Sequence, residues 1–180
     1  QGGEAIADIL FGAACPSGRL PVTFPQSAAQ LPRPELPGLG KRWAAPFGPR
    51  IDLSRASGFD VPHPEGSDVG YRWFARMGHP PLFPFGYGLS YTAFSYDNLA
   101  VTGGNTLTIT FDVTNTGPCE GIDTPQVYLS SRRGAPIRRL LGWSRLRLKP
   151  GERAAAKVIA DPRLLADFDT TRRAWHVPEG

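Results

Sequence analysis

The side chains with chemical capacity in this 180-residue chain are few and scattered. Three pairs of carboxylates stand close in sequence: Glu65 with Asp68, Glu120 with Asp123, and Asp167 with Asp169. Two carboxyl groups held about 5–5.5 Å or about 6.5–9.5 Å apart can divide the acid, base and nucleophile roles of glycosidic bond cleavage. Each pair has an equally direct structural reading. Glu65-Gly-Ser-Asp68 is a turn that opens a strand, Glu120 and Asp123 flank a hairpin, and Asp167 and Asp169 share one strand face beside an arginine-rich turn. His63, His79 and His176 are far apart, and Cys15 and Cys119 lie in differently composed halves, so neither a metal site nor a disulfide framework is indicated. Gly88-Leu-Ser-Tyr-Thr92 lacks the second glycine of a serine-hydrolase elbow, and Gly38-Leu-Gly40 runs into Lys-Arg-Trp instead of a phosphate-binding helix start. No catalytic, cofactor-binding or metal-binding residue is assigned on these patterns.

The charge balance is basic, with net charge +4 and a pI near 9.4 carried mostly by arginine. Its densest cluster is Arg132, Arg133, Arg138, Arg139, Arg145, Arg147 and Lys149, with no acidic residue among them. Half of that cluster falls at alternate positions of a strand and therefore on a solvated face, which keeps a sheet from pairing with other edges. Aromatic residues that would stack bases are not interleaved with it, apart from Trp143. No nucleic-acid partner is expected. The longest apolar runs are a few residues, against the roughly 20 needed to cross a bilayer, so no membrane span is expected either.

The length is too short for most barrel enzymes, which need roughly 250 residues. Residues 4–12 place Ile6, Ile9 and Leu10 on one helical face, with Gly12 suited to a left-handed stop. Pro16-Ser-Gly18 turns, and Arg19 to Phe24 reads as a strand between Pro16 and Pro25. From Pro25 to Pro64 no period survives, and Trp43, Phe47 and Phe59 make the stretch too aromatic for a free linker. Residues 69–75 and 80–91 continue as an aromatic strap between two bodies, because Gly, Pro and rings lose little freedom on ordering. From Tyr96 the period becomes two. Leu107, Ile109, Phe111 and Val113 alternate with Thr106, Thr108, Thr110, Asp112 and Thr114. Further strands are expected at 125–130, with Val127 and Leu129 inward, and at 140–149, with Leu146 and Leu148 inward. Residues 153–160 make another, and a short helical turn at 162–166 precedes one more at 168–177. Short strands at regular spacing argue an antiparallel β-sandwich of the immunoglobulin or fibronectin type III kind.

Four motifs in series carry a resemblance. Gln1-Gly-Gly-Glu-Ala-Ile-Ala-Asp-Ile-Leu-Phe-Gly12, Pro16-Ser-Gly-Arg-Leu-Pro-Val-Thr-Phe-Pro25, Glu65-Gly-Ser-Asp-Val-Gly-Tyr-Arg-Trp-Phe74 and Pro81-Leu-Phe-Pro-Phe-Gly-Tyr-Gly-Leu-Ser-Tyr-Thr92 resemble the C-terminal region of glycoside hydrolase family 3 enzymes of the β-glucosidase and β-xylosidase type. Asn115-Thr-Gly117, Gln126-Val-Tyr128, Leu140-Leu-Gly-Trp143 and Leu148-Lys-Pro-Gly-Glu152 resemble the fibronectin type III-like domain that follows in many members. One departure is Cys15, where the family commonly has asparagine. The resemblance implies a parent with a (β/α)₈ barrel, an α/β sandwich domain and a fibronectin-like domain, acting by retaining double displacement on β-linked glucosides or related sugars. Its aspartate nucleophile comes from the barrel and its glutamate acid/base from earlier in the sandwich domain, so no residue of this chain inherits either role.

The resulting expectation is a mainly β chain. Its fibronectin type III-like (immunoglobulin-like) antiparallel β-sandwich, residues 96–180 without a last strand, follows the C-terminal remnant of an α/β sandwich domain, residues 1–25, and a Pro/aromatic-rich connector, residues 26–95. Truncated at both ends, with an open edge and an unpartnered helix, the isolated chain is expected to be marginally stable. Its role would be structural support within a retaining β-glycosidase whose β-linked glucoside or oligosaccharide substrate is bound by the missing catalytic domains. Tyr71 and Trp73 are expected to pack between domains, near the parent's sugar pocket. The alternative is a non-catalytic carbohydrate- or surface-binding sandwich using Tyr128, Trp143 and Trp175. A periplasmic or secreted location is what the family suggests.

Overall fold

In the strand that spells Thr-Ile-Thr-Phe-Asp-Val-Thr-Asn, every second side chain is buried, as the period-two pattern requires. The structure, a computed structural model, describes residues 2–35, 60–104 and 106–177. Trp43, Phe47, Phe59 and the Gly38-Leu-Gly40 motif lie outside them. The elements in chain order are α1 (Gly2–Leu10), α2 (Tyr71–Met77), β1 (Phe94–Thr102), β2 (Thr108–Asn115), β3 (Gly121–Asp123), β4 (Gln126–Arg132), β5 (Ala135–Trp143), β6 (Leu146–Leu148), β7 (Arg153–Ile159), β8 (Asp167–Asp169) and β9 (Ala174–His176).

Strands β1, β2 and β7 form one antiparallel sheet in the order β1-β2-β7, while β3 pairs with β6, β4 with β5, and β8 with β9. One hydrophobic core lies between the layers: Ile109, Phe111 and Val113 of β2 and Ala156 and Val158 of β7 meet Leu141 of β5 and Leu148 of β6. Leu107, Val127, Leu129 and Leu146 close its margin. Each fully buried Ile, Val, Leu or Phe contributes roughly 1.5–3 kcal/mol by leaving water, so these few residues dominate what holds the sandwich together. The chain is thus a mainly β, antiparallel, fibronectin type III-like sandwich preceded by a helix-bearing arm. Both β7, chosen over helix despite its three alanines, and the short 3₁₀ turn at Pro162–Leu165 are present.

Four local expectations are corrected. Arg19 to Phe24 is extended but forms only a single antiparallel bridge, Phe24 to Phe83. Hydrogen bonds from Leu20 N to Tyr87 O and Gly86 N to Leu20 O continue the pairing. Pro21, Pro25 and, opposite, Pro84 lack the N–H groups a full ladder needs. The turn at 65–68 opens a helix, not a strand: Asp68 bonds Arg72 and Arg76 on the same face, and Gly78 ends α2 in the left-handed conformation at φ 65°. Residues 140–149 split into β5 and β6 at Ser144-Arg145, where Ser144 N turns to Pro125 O. Residues 168–177 belong to a small hairpin, β8–β9, because Asp169 accepts from Thr171 N and Arg172 N and folds the chain back.

Strand β1 carries a bulge. Asp97 pairs with Asp112 and Ala100 with Thr110, so Asn98 and Leu99 together oppose Phe111, and Asn98 takes φ 55°. The extra residue shifts the apolar alternation from Phe94 and Tyr96 to Leu99 and Val101, which hides the strand from a simple period count.

Candidate functional site

The arm and the sandwich meet along a seam built from polar residues that point inward. Asp123 sits in β3, 3% exposed, instead of flanking a hairpin. Arg19 Nη2 donates to its Oδ1 at 3.0 Å, and Tyr96 Oη donates to its Oδ2 at 2.7 Å. Burial first, and then the hydrogen bond to the Asp123 carboxylate, push the Tyr96 phenol far above its ordinary value. A second buried centre is Asn115, fully enclosed at the end of β2. Its Oδ1 accepts from Thr92 Oγ1 at 2.5 Å and Gly117 N at 3.0 Å, and its Nδ2 donates to Cys119 O at 2.8 Å and Leu148 O at 2.9 Å. All of its amide capacity is thereby used, which is what a buried polar group requires. Tyr91 Oη reaches the end of α1 at Ile9 O, 2.7 Å away.

Further along the seam, Tyr71 of α2 packs its ring against Phe85 at 5.4 Å and edge-on to Tyr128 at 5.7 Å, while its hydroxyl accepts from Leu140 N. Trp73 is buried, donates Nε1–H to Gln30 O at 2.8 Å, and lies under the Arg76 guanidinium. Tyr71 thus bridges arm and sandwich, whereas the partners of Trp73, Gln30 and Arg76, both lie within the arm. Tyr128 is half-buried in the same cluster and donates to Gln126 Oε1. Trp143 and Trp175 are 63% and 67% exposed, on different elements.

The carboxylate pairs are occupied by arginines. Glu65, also buried, takes Arg33 at 2.7 Å and stands next to His63. Its own backbone N–H and then Arg33 hold its carboxyl below the ordinary range, against burial, which is the wrong direction for a general acid at neutral pH. Asp68 lies between Arg72 and Arg76, Glu120 bonds Arg147, and Asp167 takes Arg132 at 2.5 Å and Arg139 at 3.7 Å. The arginine cluster therefore staples β4, β5 and β6 to neighbouring loops. A groove of about 1010 Å³ between α2 and β5 is lined by Arg72, Arg76, Arg132, Arg138 and Arg139; Asp68 pairs with Arg72 and Arg76 and Asp167 with Arg132 and Arg139, so the two carboxylates offset only part of its positive charge. Among the described residues, no group of three or more His, Cys, Asp or Glu is arranged to hold a metal, and no helix is long and apolar enough to cross a membrane.

Sequence reasoning did not single out Arg19, Thr92, Tyr96 or the buried role of Asn115. For Asn115 a signal existed: it continues the inward parity of Ile109, Phe111 and Val113, so an alternating strand already aimed it at the core. Cys15 and Cys119, read as unrelated, are brought to the same stretch of the seam as free thiols.

The described residues form an antiparallel β-sandwich onto which a helix-bearing arm is fastened by polar pairs such as Arg19–Asp123. Residues 1–91 match the glycosyl hydrolase family 3 C-terminal domain, and residues 123–180 match the fibronectin type III-like domain. The chain belongs to glycoside hydrolase family 3, as part of its C-terminal region. It is similar to beta-glucosidase B of Emericella nidulans, 37% identical over 193 residues that span all of this chain and 21% of that protein. It is also similar to an exo-alpha-(1->6)-L-arabinopyranosidase of Bifidobacterium breve, 33% identical over all of this chain and 22% of that protein. The crystal structure of a Bifidobacterium adolescentis family 3 beta-glucosidase superposes with a TM-score of 0.77 at 33% identity, covering 99% of this chain and 25% of that one. The chain thus spans about a fifth of the length of the curated relatives it matches.

Proposed function

We propose that this chain is the C-terminal supporting part of a retaining β-glycosidase of the β-glucosidase kind, with nucleophile and acid/base contributed by other parts of the longer enzyme. The observation that carries this reading is the engagement of the candidate carboxylates: Glu65, Asp68, Glu120, Asp123 and Asp167 are each held by an arginine. Oxygens engaged by a guanidinium are not free to face a sugar, and the Glu65 carboxyl, held below its ordinary range, is in addition poorly suited to protonate a leaving group. Relatives named as a beta-glucosidase and as an arabinopyranosidase share this region. That pattern fits a part that supports the catalytic domains without choosing the sugar. The test is hydrolysis of an aryl β-glucoside by the purified 180-residue chain. No turnover above buffer is expected, and clear saturable turnover would overturn the reading.

A second reading, carbohydrate binding by the sandwich, has the exposed Trp143 and Trp175 in its favour. Tyr128, its third member, is engaged with Tyr71. Retention of the chain on insoluble glucan, lost in Trp143→Ala and Trp175→Ala, would favour this reading over pure support.

A further inference from the structure

The seam brings together two cysteines 104 positions apart in sequence. Cys15 lies in the loop after α1, its Sγ 3.3 Å from Ser90 Oγ. Cys119 lies in the loop between β2 and β3, its carbonyl anchored by Asn115 Nδ2. A Cβ placed on Gly121, two residues beyond Cys119, would stand 3.7 Å from Cys15 Sγ. Both cysteines are free and half-buried, and each perturbs the ionisation of the other, as thiols do only at close range. The Arg19–Asp123 ion pair fixes the same two segments, and each cysteine stands four residues before its member of that pair.

We propose that Cys15 and Cys119 form a dithiol site that a small-molecule disulfide converts into an internal disulfide joining the arm to the sandwich. In the first step the Cys15 thiolate attacks one sulfur of the reagent, breaking its S–S bond and releasing one reagent thiol. In the second step Cys119 attacks the Cys15 sulfur of the mixed disulfide and releases the other. The protons of the two cysteines leave with the two reagent thiols, and the two electrons lost by the cysteines reduce the reagent.

The environments suit this order of attack. Burial opposes ionisation of Cys15, yet hydrogen bonds from Ser90, the Tyr91 and Thr92 backbone and Cys119 leave its thiol below the ordinary value. Burial and the neighbouring Cys15 raise that of Cys119. Cys15 is therefore the attacker and Cys119 the resolver.

The experiment treats the reduced 180-residue chain with oxidised glutathione. Intact mass, thiol count, peptide mapping and thermal unfolding are then followed. The expected product has lost two hydrogens and both reactive thiols, and it yields a cross-linked peptide containing Cys15 and Cys119. Closing a loop of about 100 residues should raise Tm by roughly 5–15 °C over the reduced form. In Cys119→Ser the mixed disulfide at Cys15 should accumulate, whereas Cys15→Ser should react slowly and give no cross-link. Retention of both thiols, stable glutathione adducts on both cysteines of the unmutated chain, or covalent dimers as the main product would each overturn the proposal.

Discussion

Arg19 Nη2 stands 3.0 Å from Asp123 Oδ1 across 104 positions of sequence, and the other carboxylate oxygen accepts from Tyr96 Oη. With both oxygens engaged and Asp123 almost wholly buried, this pair is the polar clasp between arm and sandwich. Removing one partner of such a pair leaves a charge in a dry site, and that penalty exceeds what the pair itself contributes.

Asp123→Ala is therefore expected to lower stability by about 3–5 kcal/mol in urea unfolding. Arg19→Met together with Asp123→Leu, which removes both charges and keeps apolar bulk, should recover most of that loss. A double variant as unstable as Asp123→Ala would show that packing, not the stranded charge, sets the cost.

Stability should fall at both pH extremes for separate reasons. The Tyr96 phenol is raised by burial and by Asp123, while an unfolded tyrosine ionises near ~10, so the folded state keeps a proton the unfolded state has lost. Its contribution is complete below about pH 10 and declines as pH rises beyond that. Absorbance titration of the chain's 5 tyrosines should show Tyr96 ionising later than an exposed tyrosine, and Tyr96→Phe should reduce the alkaline decline, the remainder including Tyr128, which burial also raises. On the acid side, the Arg163 side chain and then its backbone N–H hold Asp161 down to about 2. Its contribution is present above about pH 4 and is lost as pH falls toward about 2. Asp161→Asn should flatten that limb of the stability profile.

Asn115→Ala would strand two carbonyls, Cys119 O and Leu148 O, together with the Thr92 hydroxyl and Gly117 N–H. A loss of about 2–4 kcal/mol is expected, near the upper end for a single small side chain, because each stranded buried group costs about 1–3 kcal/mol. Asn115→Asp should restore the acceptor half only, with an intermediate loss in thermal or urea unfolding.

Much of the fold was legible where one face is buried and the other wet. Strand β2 follows its alternation residue by residue, and β7 was correctly preferred over helix because Pro150-Gly151 and Asp161-Pro162 leave room for a strand only. Helix α1 and the left-handed Gly12 after it, φ 79°, were also legible, although Ile6 and Leu10 on the helix and Phe11 just beyond it remain exposed. Legibility failed where a local device broke the period. The bulge at Asn98 hid half of β1, the turn at Asp169 made two strands of one, and the Asp68–Arg72 and Asp68–Arg76 pairs turned an aromatic run into α2. The candidate carboxylates were visible as residue types, but nothing in their spacing reveals which arginine each one meets.

The periodicities, the turns and the motif series of glycoside hydrolase family 3 are written in neighbours within a few residues and can be read without the fold. Which polar groups meet across the seam is set by the packed fold: Arg19 with Asp123 and Tyr96, Thr92 with Asn115, and Cys15 with Cys119. Those meetings depend on how the arm docks on the sandwich, where Tyr71 seats against Tyr128 and Leu140, far away in sequence. Local pattern carries no information about that distance, so the chemistry of the seam emerges only when the core closes.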